Sequence, residues 1–380
     1  MNKIVIFSVF VVASCGLAYE LIAGALASYL LGDSILQFSS IIGAYLCAMG
    51  IGSHLSRYVK ERVAEKFVDI EIAVGLIGGT AAALLFMAYA WSQSFRPLLY
   101  AQVGLLGILV GMEIPFVMRL LNERKATFSE LVANVLTFDY LGALAVSLLF
   151  PLVLAPKLGL IRTGFLFGMM NVAVALMTIH VFRDEAGFAA RGRWLRGIAV
   201  LVLLVVGFHL SDRLTGWVEK DIFGDEVIHA QSTPYQRIVV TRWQDDLRLW
   251  LNGNLQFSSR DEQRYHEALV HPGLASLPWA HRVLILGGGD GMAAREVLKY
   301  PHIESVTLVD LDQGITELFS HSADLARLNN GSLTNPRLRV INTDAAKWLE
   351  QSREMFDLVV VDFPDPSNYS LGKLYSVSFY

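Results

Sequence analysis

The chain has 380 residues, of which 54% are hydrophobic and only 17% are charged, and its mean hydropathy is +0.46. That composition is too apolar for one soluble domain of this length. The net charge of −4 and the lack of a basic stripe argue against nucleic acid as a partner. Both cysteines, Cys15 and Cys47, lie in apolar stretches, which argues against disulfides, and no compact His/Cys spacing predicts a metal site.

Long apolar stretches are concentrated before residue 212. They run over 4–31, 39–56, 67–91, 96–118, 131–155, 161–182 and 197–211. Most reach the roughly 20 residues that a helix needs to cross a bilayer. We therefore predict a membrane domain of about seven helices over residues 1–211, with the lipid bilayer as its partner and a multi-pass location in the cell inner membrane. The first stretch is too long for a cleaved signal peptide, so we expect it to remain as an anchor.

Loop charges predict the orientation of these helices, because lysine and arginine are retained on the cytoplasmic side. Basic residues follow the second, fourth and sixth stretches: Arg57, Lys60, Arg62 and Lys66, then Arg119, Arg124 and Lys125, then Arg183, Arg191, Arg193 and Arg196. Seven crossings would place the segment after residue 211 outside the cytoplasm. A short last stretch that does not cross would place it inside, and the sequence leaves both arrangements open.

The carboxylates Glu20, Glu113 and Asp139 fall inside the predicted spans. Acids within a membrane are costly and usually face a bundle interior or an aqueous cavity. One interpretation is a hydrogen bond between helices, for example from Glu20 or Glu113 to Tyr140 or Ser147. The other is a cation pathway or a polyamine-binding cavity.

After the last apolar stretch the pattern changes to that of a soluble α/β protein. Alternating residues over 235–257 predict short strands, in a small β subdomain over 228–260. Strands over 282–286, 304–309, 337–342 and 356–361 then alternate with helices over 260–270, 292–299, 313–320 and 345–350, with Pro272 and Gly273 ending the first helix. Residues 261–380 thus predict a Rossmann-like, methyltransferase-type parallel sheet, which binds ligands beyond the carboxyl ends of its strands.

A glycine-rich turn follows the first strand of this sheet. Its glycines, Gly287, Gly289 and Gly291, allow the backbone to turn sharply and approach a ligand closely. Asp310 closes the next strand, where a carboxylate can accept both hydroxyls of a ribose. The sequence therefore predicts a nucleoside-binding site, with further acids at Asp290 in the turn and beyond the last strand.

Four motifs follow one another in this region: Asn252–Gln256, Arg260–Glu267, Gly287–Gly291 and Asp362–Pro366. In order and spacing they resemble spermidine synthase, the polyamine aminopropyltransferase family, over about residues 228 to 380. The apolar amino-terminal region is similar to that of membrane-fused members. The resemblance implies transfer of an aminopropyl group from decarboxylated S-adenosylmethionine to putrescine, giving spermidine and methylthioadenosine. The donor is a co-substrate, no tightly bound cofactor is expected, and a homodimer is a candidate assembly.

The resemblance also implies which residues bind the nucleoside. Gln236 and Asp310 would contact it, and Asp344 with Ala345 would read the adenine edge. Asp310 is shorter by one methylene than the glutamate that is commoner in the family. Asp312 and Asp324 are expected to be solvated surface acids without a role.

The same resemblance implies the residues around the reacting groups. Asp290 would meet the amine of the donor, Tyr265, His266 and Asp365 would hold the acceptor polyamine, and Asp362 would be the general base. The chemistry agrees, because the acceptor nitrogen must lose a proton before it attacks the carbon beside the sulfonium. A carboxylate at Asp290 would also repel the carboxylate of ordinary S-adenosylmethionine.

Two features leave alternatives open. Only four sheet strands are predicted, and a helix expected over 374–380 reaches the end of the chain, so the resemblance implies an incomplete catalytic domain. A methyltransferase would explain the glycine turn and Asp310, although it does not need the paired acids Asp362 and Asp365. A membrane transporter or sensor for polyamines, with a soluble domain that only binds, is the second alternative.

Overall fold

The computed structural model describes residues 2–31, 34–91, 95–122, 128–183, 189–366 and 369–380. The chain divides into two compact units, Met1–Gly224 and Asp225–Tyr380. The boundary lies later than residue 211, the predicted end of the membrane domain, because the last helix of the first unit continues well beyond that residue. We call the two parts the helical unit and the α/β unit.

The helical unit is built from long apolar helices, as its sequence predicts. They are α1 (Asn2–Leu31), α2 (Ser34–Ser56), α3 (Val63–Trp91), α4 (Phe95–Asn122), α5 (Phe128–Leu149), α6 (Gly159–Phe182) and α7 (Ala190–Phe223). A π-helical segment, Phe150–Leu158, joins α5 to α6. Helix α1 packs against α2 through α6 and contributes much of the buried apolar core.

Six runs of helix in the described part of the chain are long and apolar enough to cross a membrane, against the seven stretches of the sequence. The difference arises because the fifth and sixth stretches form one continuous run, 129–182, of 54 residues. Within it Gly159 has φ +76° and ψ 168°, outside the helical region, so the helix path breaks there. Arg124 and Lys125 of the predicted basic loops lie outside the described residues.

The last helix differs from its prediction. The apolar stretch 197–211 is the shortest in the sequence, but α7 has 34 residues and its apolar part, Ala190–Trp217, has 28. At 1.5 Å per residue this part is about 42 Å long, more than the hydrocarbon core of a bilayer. Helix α7 is therefore long enough to cross a bilayer, and whether it crosses stays a prediction.

Glycines allow α2 and α4 to approach each other closely. A Cβ atom at Gly52 would lie 1.9 Å from the backbone oxygen of Ile108, and one at Gly111 would lie 2.1 Å from that of Met49. No larger residue fits at either position without moving a backbone. Small residues at a helix interface are typical of membrane bundles, where van der Waals packing drives helix association.

The α/β unit begins with an antiparallel sheet in the order β1-β2-β3-β4. Its strands are β1 (Glu226–Ser232), β2 (Arg237–Trp243), β3 (Asp246–Leu251) and β4 (Asn254–Ser258). Asn252 and Gly253 connect the last two strands, with φ values of +50° and +77°. Asparagine followed by glycine is the usual pair for such a two-residue hairpin loop, because both residues tolerate positive φ.

The rest of the α/β unit is a parallel sheet in the order β7-β6-β5-β8. Its strands are β5 (Arg282–Gly287), β6 (Ser305–Asp310), β7 (Leu338–Asn342) and β8 (Leu358–Asp362). The helices are α8 (Glu262–Ser276), α9 (Met292–Leu298), α10 (Gln313–His321), α11 (Ala323–Leu328), α12 (Ala345–Gln351) and α13 (Tyr369–Gly372). The predicted strands agree with these bounds to within two residues, because strands buried between helices are short continuous apolar runs.

Two helix predictions need correction. Helix α8 does not end at Pro272 but continues to Ser276, whose hydroxyl donates to the backbone oxygen of Pro272 at 2.8 Å. The residues after 373 do not begin a long helix. A 3₁₀ turn over Lys373–Tyr375 is followed by turns, because Ser376 is extended with ψ 154°.

Candidate active site

The carboxyl ends of the four parallel strands meet at one edge of the sheet. Gly287 pairs with Asp362, and Asp310 pairs with Asn342, so three strand ends carry chemistry-bearing residues side by side. From β5 the chain proceeds to β6 and β7 on one side and returns to β8 on the other. A crevice opens at such a reversal of strand order, and ligands bind there in open α/β sheets.

The glycine-rich turn brings two of these acids against the backbone. Gly287 has φ +83°, and a Cβ there would lie 2.0 Å from the backbone oxygen of Asp362. A Cβ at Gly289 would lie 2.7 Å from the carboxyl carbon of Asp310. Only glycine fits at these two positions, so the turn is shaped around the acids that end the neighbouring strands.

Asp310 is held in place by backbone donors. The N–H of Gly289 donates to one carboxylate oxygen at 3.0 Å, and the N–H of Asp312 donates to the other at 2.8 Å. Burial raises the pKa of Asp310 to about 6, although the two N–H groups favour its charged form. Each oxygen keeps a further lone pair, so the carboxylate can still accept hydrogen bonds from a ribose.

Asp362 is the acid at the end of β8, and the Tyr265 hydroxyl donates to it at 2.7 Å. Burial, together with the negative charge of Asp290, raises the pKa of Asp362 to about 6. Tyr265 and His266 act in the opposite direction. A carboxylate with a pKa near neutrality, at the rim of a crevice, can accept and return a proton at physiological pH.

Asp290 and His266 lie beside Asp362. One Asp290 oxygen accepts the N–H of Met292 at 2.8 Å, and burial raises the Asp290 pKa while His266 lowers it. The His266 ring is buried, and its Nδ1 lies 2.8 Å from Glu262 Oε2. Burial opposes the charged ring, but Glu262, Asp290 and Asp362 raise the His266 pKa overall. The site thus places one imidazole among three carboxylates.

Glu262 and Arg295 support this site, and the sequence analysis assigned neither a role. Arg295 donates through both terminal nitrogens to Glu262, at 2.8 and 3.0 Å, and both side chains are buried. This bidentate pair joins α8, which carries His266, to α9, which follows the glycine turn. A signal was present, since Glu262 lies inside the Arg260–Glu267 motif.

Gln236 does not point freely into the crevice. Its amide nitrogen donates at 2.8 Å to Asp312, which also accepts the Thr233 hydroxyl at 2.8 Å and caps α10 through the N–H of Gly314. Asp312 is only 3% exposed, so the expectation of a solvated surface acid is wrong. The physical reason is that capping and side-chain donors satisfy a buried carboxylate. Asp324, the other acid of that expectation, pairs with Arg242 at 2.5 Å.

Asp344 lies just beyond the end of β7, where it caps α12. One of its oxygens accepts the N–H groups of Ala346 and Lys347, at 2.9 and 3.2 Å. The other is 3.8 Å from the Lys373 ammonium, and Ala345 is buried at the first position of the helix. The structure therefore places Asp344 and Ala345 at the same sheet edge as Asp310.

Asp365 stays apart from the other acids. It is exposed in the segment that follows β8, and among the described residues we find no contact between it and Asp290 or Asp362. Tyr375 holds this segment in place, because its hydroxyl donates to the backbone oxygens of Phe363 and Pro364 at 3.1 and 3.0 Å. The structure thus gathers Asp290, Asp362 and the Tyr265–His266 pair, with Asp365 at the rim.

Comparison with known proteins finds relatives along the whole chain. Residues 262–380 match the family model described as the spermine/spermidine synthase domain. A protein of Ralstonia nicotianae named polyamine aminopropyltransferase 2 is 64% identical over 385 residues, covering 100% of this chain and 75% of the relative. The polyamine aminopropyltransferase of Leptospira interrogans is 52% identical over 382 residues, covering 100% of this chain and 76% of the relative. The crystal structure of spermidine synthase from Thermotoga maritima is 29% identical with a TM-score of 0.37, over 40% of this chain and 51% of that one.

The fold and the site define an α/β domain with a parallel sheet and a cluster of acids at the carboxyl ends of its strands. The identity and coverage of the relatives then narrow the class. The chain belongs to the polyamine aminopropyltransferase family, whose members are enzymes.

Proposed function

We propose that the protein transfers the aminopropyl group of decarboxylated S-adenosylmethionine to putrescine, releasing spermidine and methylthioadenosine. The observation that carries the proposal is the cluster at the glycine turn, where Asp362 accepts the Tyr265 hydroxyl at 2.7 Å and lies beside Asp290. A methyltransferase would use the nucleoside site without needing these acids. Two neighbouring acids beside it suit a reaction that binds amines on both sides of the bond being formed.

The reaction is a displacement at carbon. The acceptor nitrogen first loses a proton to Asp362, and its lone pair then attacks the methylene carbon beside the sulfonium. The new C–N bond forms as the C–S bond breaks, and the electron pair stays on sulfur, which leaves as a neutral thioether. Holding both substrates in line supplies much of the rate, and the raised pKa of Asp362 suits it to take the proton.

Asp290 would select the donor. Its carboxylate attracts the terminal ammonium of the decarboxylated molecule and repels the carboxylate that ordinary S-adenosylmethionine carries at the same carbon. The nearby imidazole of His266, whose pKa is raised, limits the repulsion between Asp290 and Asp362. Both acids can then remain charged when the cationic substrates bind.

The nucleoside part of the donor would bind along the sheet edge. Asp310 accepts the ribose hydroxyls, and Asp344 with Ala345 contacts the adenine beyond the end of β7. Gln236 contributes from the turn between β1 and β2, where Asp312 fixes its amide nitrogen and leaves the amide oxygen as the acceptor. No tightly bound cofactor is required, because the sulfonium donor carries its own leaving group.

The acceptor would lie between Asp362 and the rim. Tyr265 and His266 border its reacting nitrogen, and Asp365, three residues beyond the base, pairs with the distant ammonium. Putrescine fits one base and one anchor. This assignment requires Asp365 to face the acceptor when substrate binds, since it is exposed in the structure described.

The test is a product assay with the purified full chain, decarboxylated S-adenosylmethionine and a panel of diamines. Methylthioadenosine formed in proportion to spermidine supports the proposal. S-Adenosylhomocysteine formed from ordinary S-adenosylmethionine would instead indicate a methyltransferase. Glu350→Gln removes an exposed carboxylate far along α12 and serves as the control, since its activity should match that of the unaltered chain.

We further propose that the helical unit crosses the cell inner membrane several times. Six runs of helix with sufficient length and hydropathy support this, as do the basic residues beside them. Extraction of the expressed chain by carbonate would contradict it, since multi-span proteins stay in the pellet. Protease access to the α/β unit in intact and in inverted vesicles would determine which side of the membrane that unit faces.

A further inference from the structure

The helical unit contains two buried carboxylates that the transfer reaction does not use. Glu71 in α3 is fully buried, and Glu113 in α4 is 2% exposed. In each, Oε1 has no hydrogen-bond partner among the described residues. The hydrogen bonds considered for Glu113 are not formed, since Ser147 donates within its own helix to Leu144 and Tyr140 is exposed.

Both acids belong to one polar cluster at the meeting of α1, α2, α3, α4 and α6. The Tyr19 hydroxyl donates to the Asn171 side-chain oxygen at 3.0 Å, and the Asn171 amide donates to Glu71 Oε2 at 2.6 Å. Glu113 lies close enough to Glu71 to interact with it electrostatically, and Tyr19 and Tyr45 interact with Glu113 in the same way. Glu113 therefore lies near the hydrogen-bonded group of Tyr19, Asn171 and Glu71.

Among the described residues no cation pairs with either acid of this cluster. The ion pairs found in the described part of the helical unit involve Glu65, Asp69 and Asp212 but neither Glu71 nor Glu113. Asp139 adds a third negative charge that acts on Glu113. Two uncompensated carboxylates in an apolar bundle are costly, and such acids mark substrate or ion sites.

We propose that Glu71 and Glu113 form a second amine site, which binds the primary ammonium group of a polyamine inside the helical unit. The choice of a polyamine as the ligand rests on the proposed function, because the α/β unit would use an amine of that class as its substrate. An ammonium group offers three donors on one atom. It can satisfy both free oxygens at once and balance part of the charge.

The chemistry of the cluster favours an ammonium group over a metal ion. The described residues hold one set of three acid or histidine ligands close enough to share an ion, and it lies in the α/β unit, not here. Two carboxylates alone offer too few ligands for a bare divalent cation, which takes six or more oxygens.

A small cavity near the cluster has room for about one water molecule. Tyr19, Tyr45 and Gln102 line it, and the remaining lining residues are apolar, among them Leu85 and Leu106. The same tyrosines line the cavity and interact with Glu113, so the cavity and the cluster adjoin.

The test is equilibrium dialysis of radiolabelled putrescine against the purified full chain in detergent. We expect two equivalents bound per chain, one of which is lost in the double variant Glu71→Gln, Glu113→Gln. Glutamine keeps the shape of a protonated glutamate, so the variant removes charge and little else. Affinity at this site should fall at least about thirtyfold for either single change, as when one partner of a buried charge pair is removed.

Two controls separate the possible causes. Glu130→Gln removes an exposed acid of α5 and should keep both equivalents. Asp290→Asn combined with Asp362→Asn should remove the other equivalent, that of the α/β unit. Methylthioadenosine production by the Glu71/Glu113 double variant reports on folding and should equal that of the unaltered chain.

Three results would overturn the proposal. Binding of a single equivalent by the unaltered chain would leave no second site, and two equivalents retained by the glutamine double variant would place the second site elsewhere. Displacement of putrescine from this site by an equal concentration of sodium, but not by spermidine, would identify a metal-ion site. Absence of methylthioadenosine from the unaltered chain would contradict the proposed function and leave the binding result unaffected.

Discussion

The two units differ in how many hydrogen-bond donors reach their buried carboxylates. In the α/β unit Asp310 accepts hydrogen bonds from two backbone N–H groups. Asp312 accepts one backbone N–H and two side-chain donors, and Glu262 accepts two hydrogen bonds from Arg295. In the helical unit Glu71 and Glu113 each keep an oxygen without a donor. Helices use nearly all their N–H groups internally, whereas strand ends and helix starts leave donors free. Satisfied acids are therefore easy to build at a sheet edge and difficult in the middle of a bundle. Glu65, a buried acid of the helical unit that has partners, lies in the first turn of α3.

The acids of the α/β unit are of two kinds, which differ in whether all their oxygens accept hydrogen bonds. Asp312 and Glu262 have every oxygen engaged and hold the site together. Asp362 has one neutral donor, Tyr265, and retains the capacity to bind a substrate or a proton. Replacement of the first kind should affect stability, and replacement of the second kind should affect turnover.

The largest effect is expected for Asp362→Asn. The amide cannot accept the proton of the acceptor amine, so kcat should fall by about 10² to 10⁴. The fold should be kept, because the Tyr265 hydroxyl can still donate to the amide oxygen. Turnover is measured from methylthioadenosine release and folding from the thermal midpoint. Retention of more than a tenth of the activity would show that another group accepts the proton.

Glu262→Gln should act mainly on stability. It removes the charge that pairs with Arg295 in a buried setting, and breaking such a pair costs about 3 kcal/mol. The free energy of unfolding of the α/β unit, measured by urea titration with tryptophan fluorescence, tests this. Glu317→Gln changes an exposed acid of α10 and should cost less than about 0.5 kcal/mol. Equal losses in the two variants would contradict the structural role of the pair.

Sequence reasoning predicted most of the α/β unit. The strand that ends at Gly287, the strand that ends at Asp310 and the glycine turn between them follow from local apolar runs and glycines. Local pattern also placed the long helices, including α5 and α6 as separate stretches, but it missed the length of α7. Polar residues at the carboxyl end of α7, such as Asp212, interrupt hydropathy without ending a helix.

The parts of the site that were not predicted from the sequence depend on contacts between residues far apart in the chain. The Glu262–Arg295 pair spans 33 residues and the Gln236–Asp312 contact spans 76, so no local pattern contains either. Glu71 was overlooked because it lies near the beginning of an apolar stretch, where an acid is ordinary. Its burial arises from the packing of α3 against α6, which places Asn171 beside it. The roles of the individual site residues stay predictions until substrates are tested.

A smaller effect is expected on donor selection. Asp290→Asn removes the charge that repels the carboxylate of ordinary S-adenosylmethionine, so the preference for the decarboxylated donor should narrow by on the order of 30-fold. The measurement is the ratio of kcat/KM for the two donors. Asp344→Asn, which alters an acid on the adenine side, should change both values together and leave their ratio intact. An unaltered ratio in Asp290→Asn would show that selection arises elsewhere.

The smallest effect is a shift in pH dependence. With Asp362 at a pKa of about 6, kcat/KM should fall as the pH drops below 6, because the protonated acid cannot accept another proton. The Tyr265 hydroxyl stabilises the charged carboxylate and so lowers this pKa; Tyr265→Phe should raise it and move the acidic limb to higher pH by about one unit. Tyr300→Phe removes a hydroxyl that bonds His271 and should leave the limb in place. If the acidic limb does not move in Tyr265→Phe, the titrating group is not Asp362. The distinction between fully hydrogen-bonded acids such as Asp312 and an acid that takes part in the reaction would then lose its support.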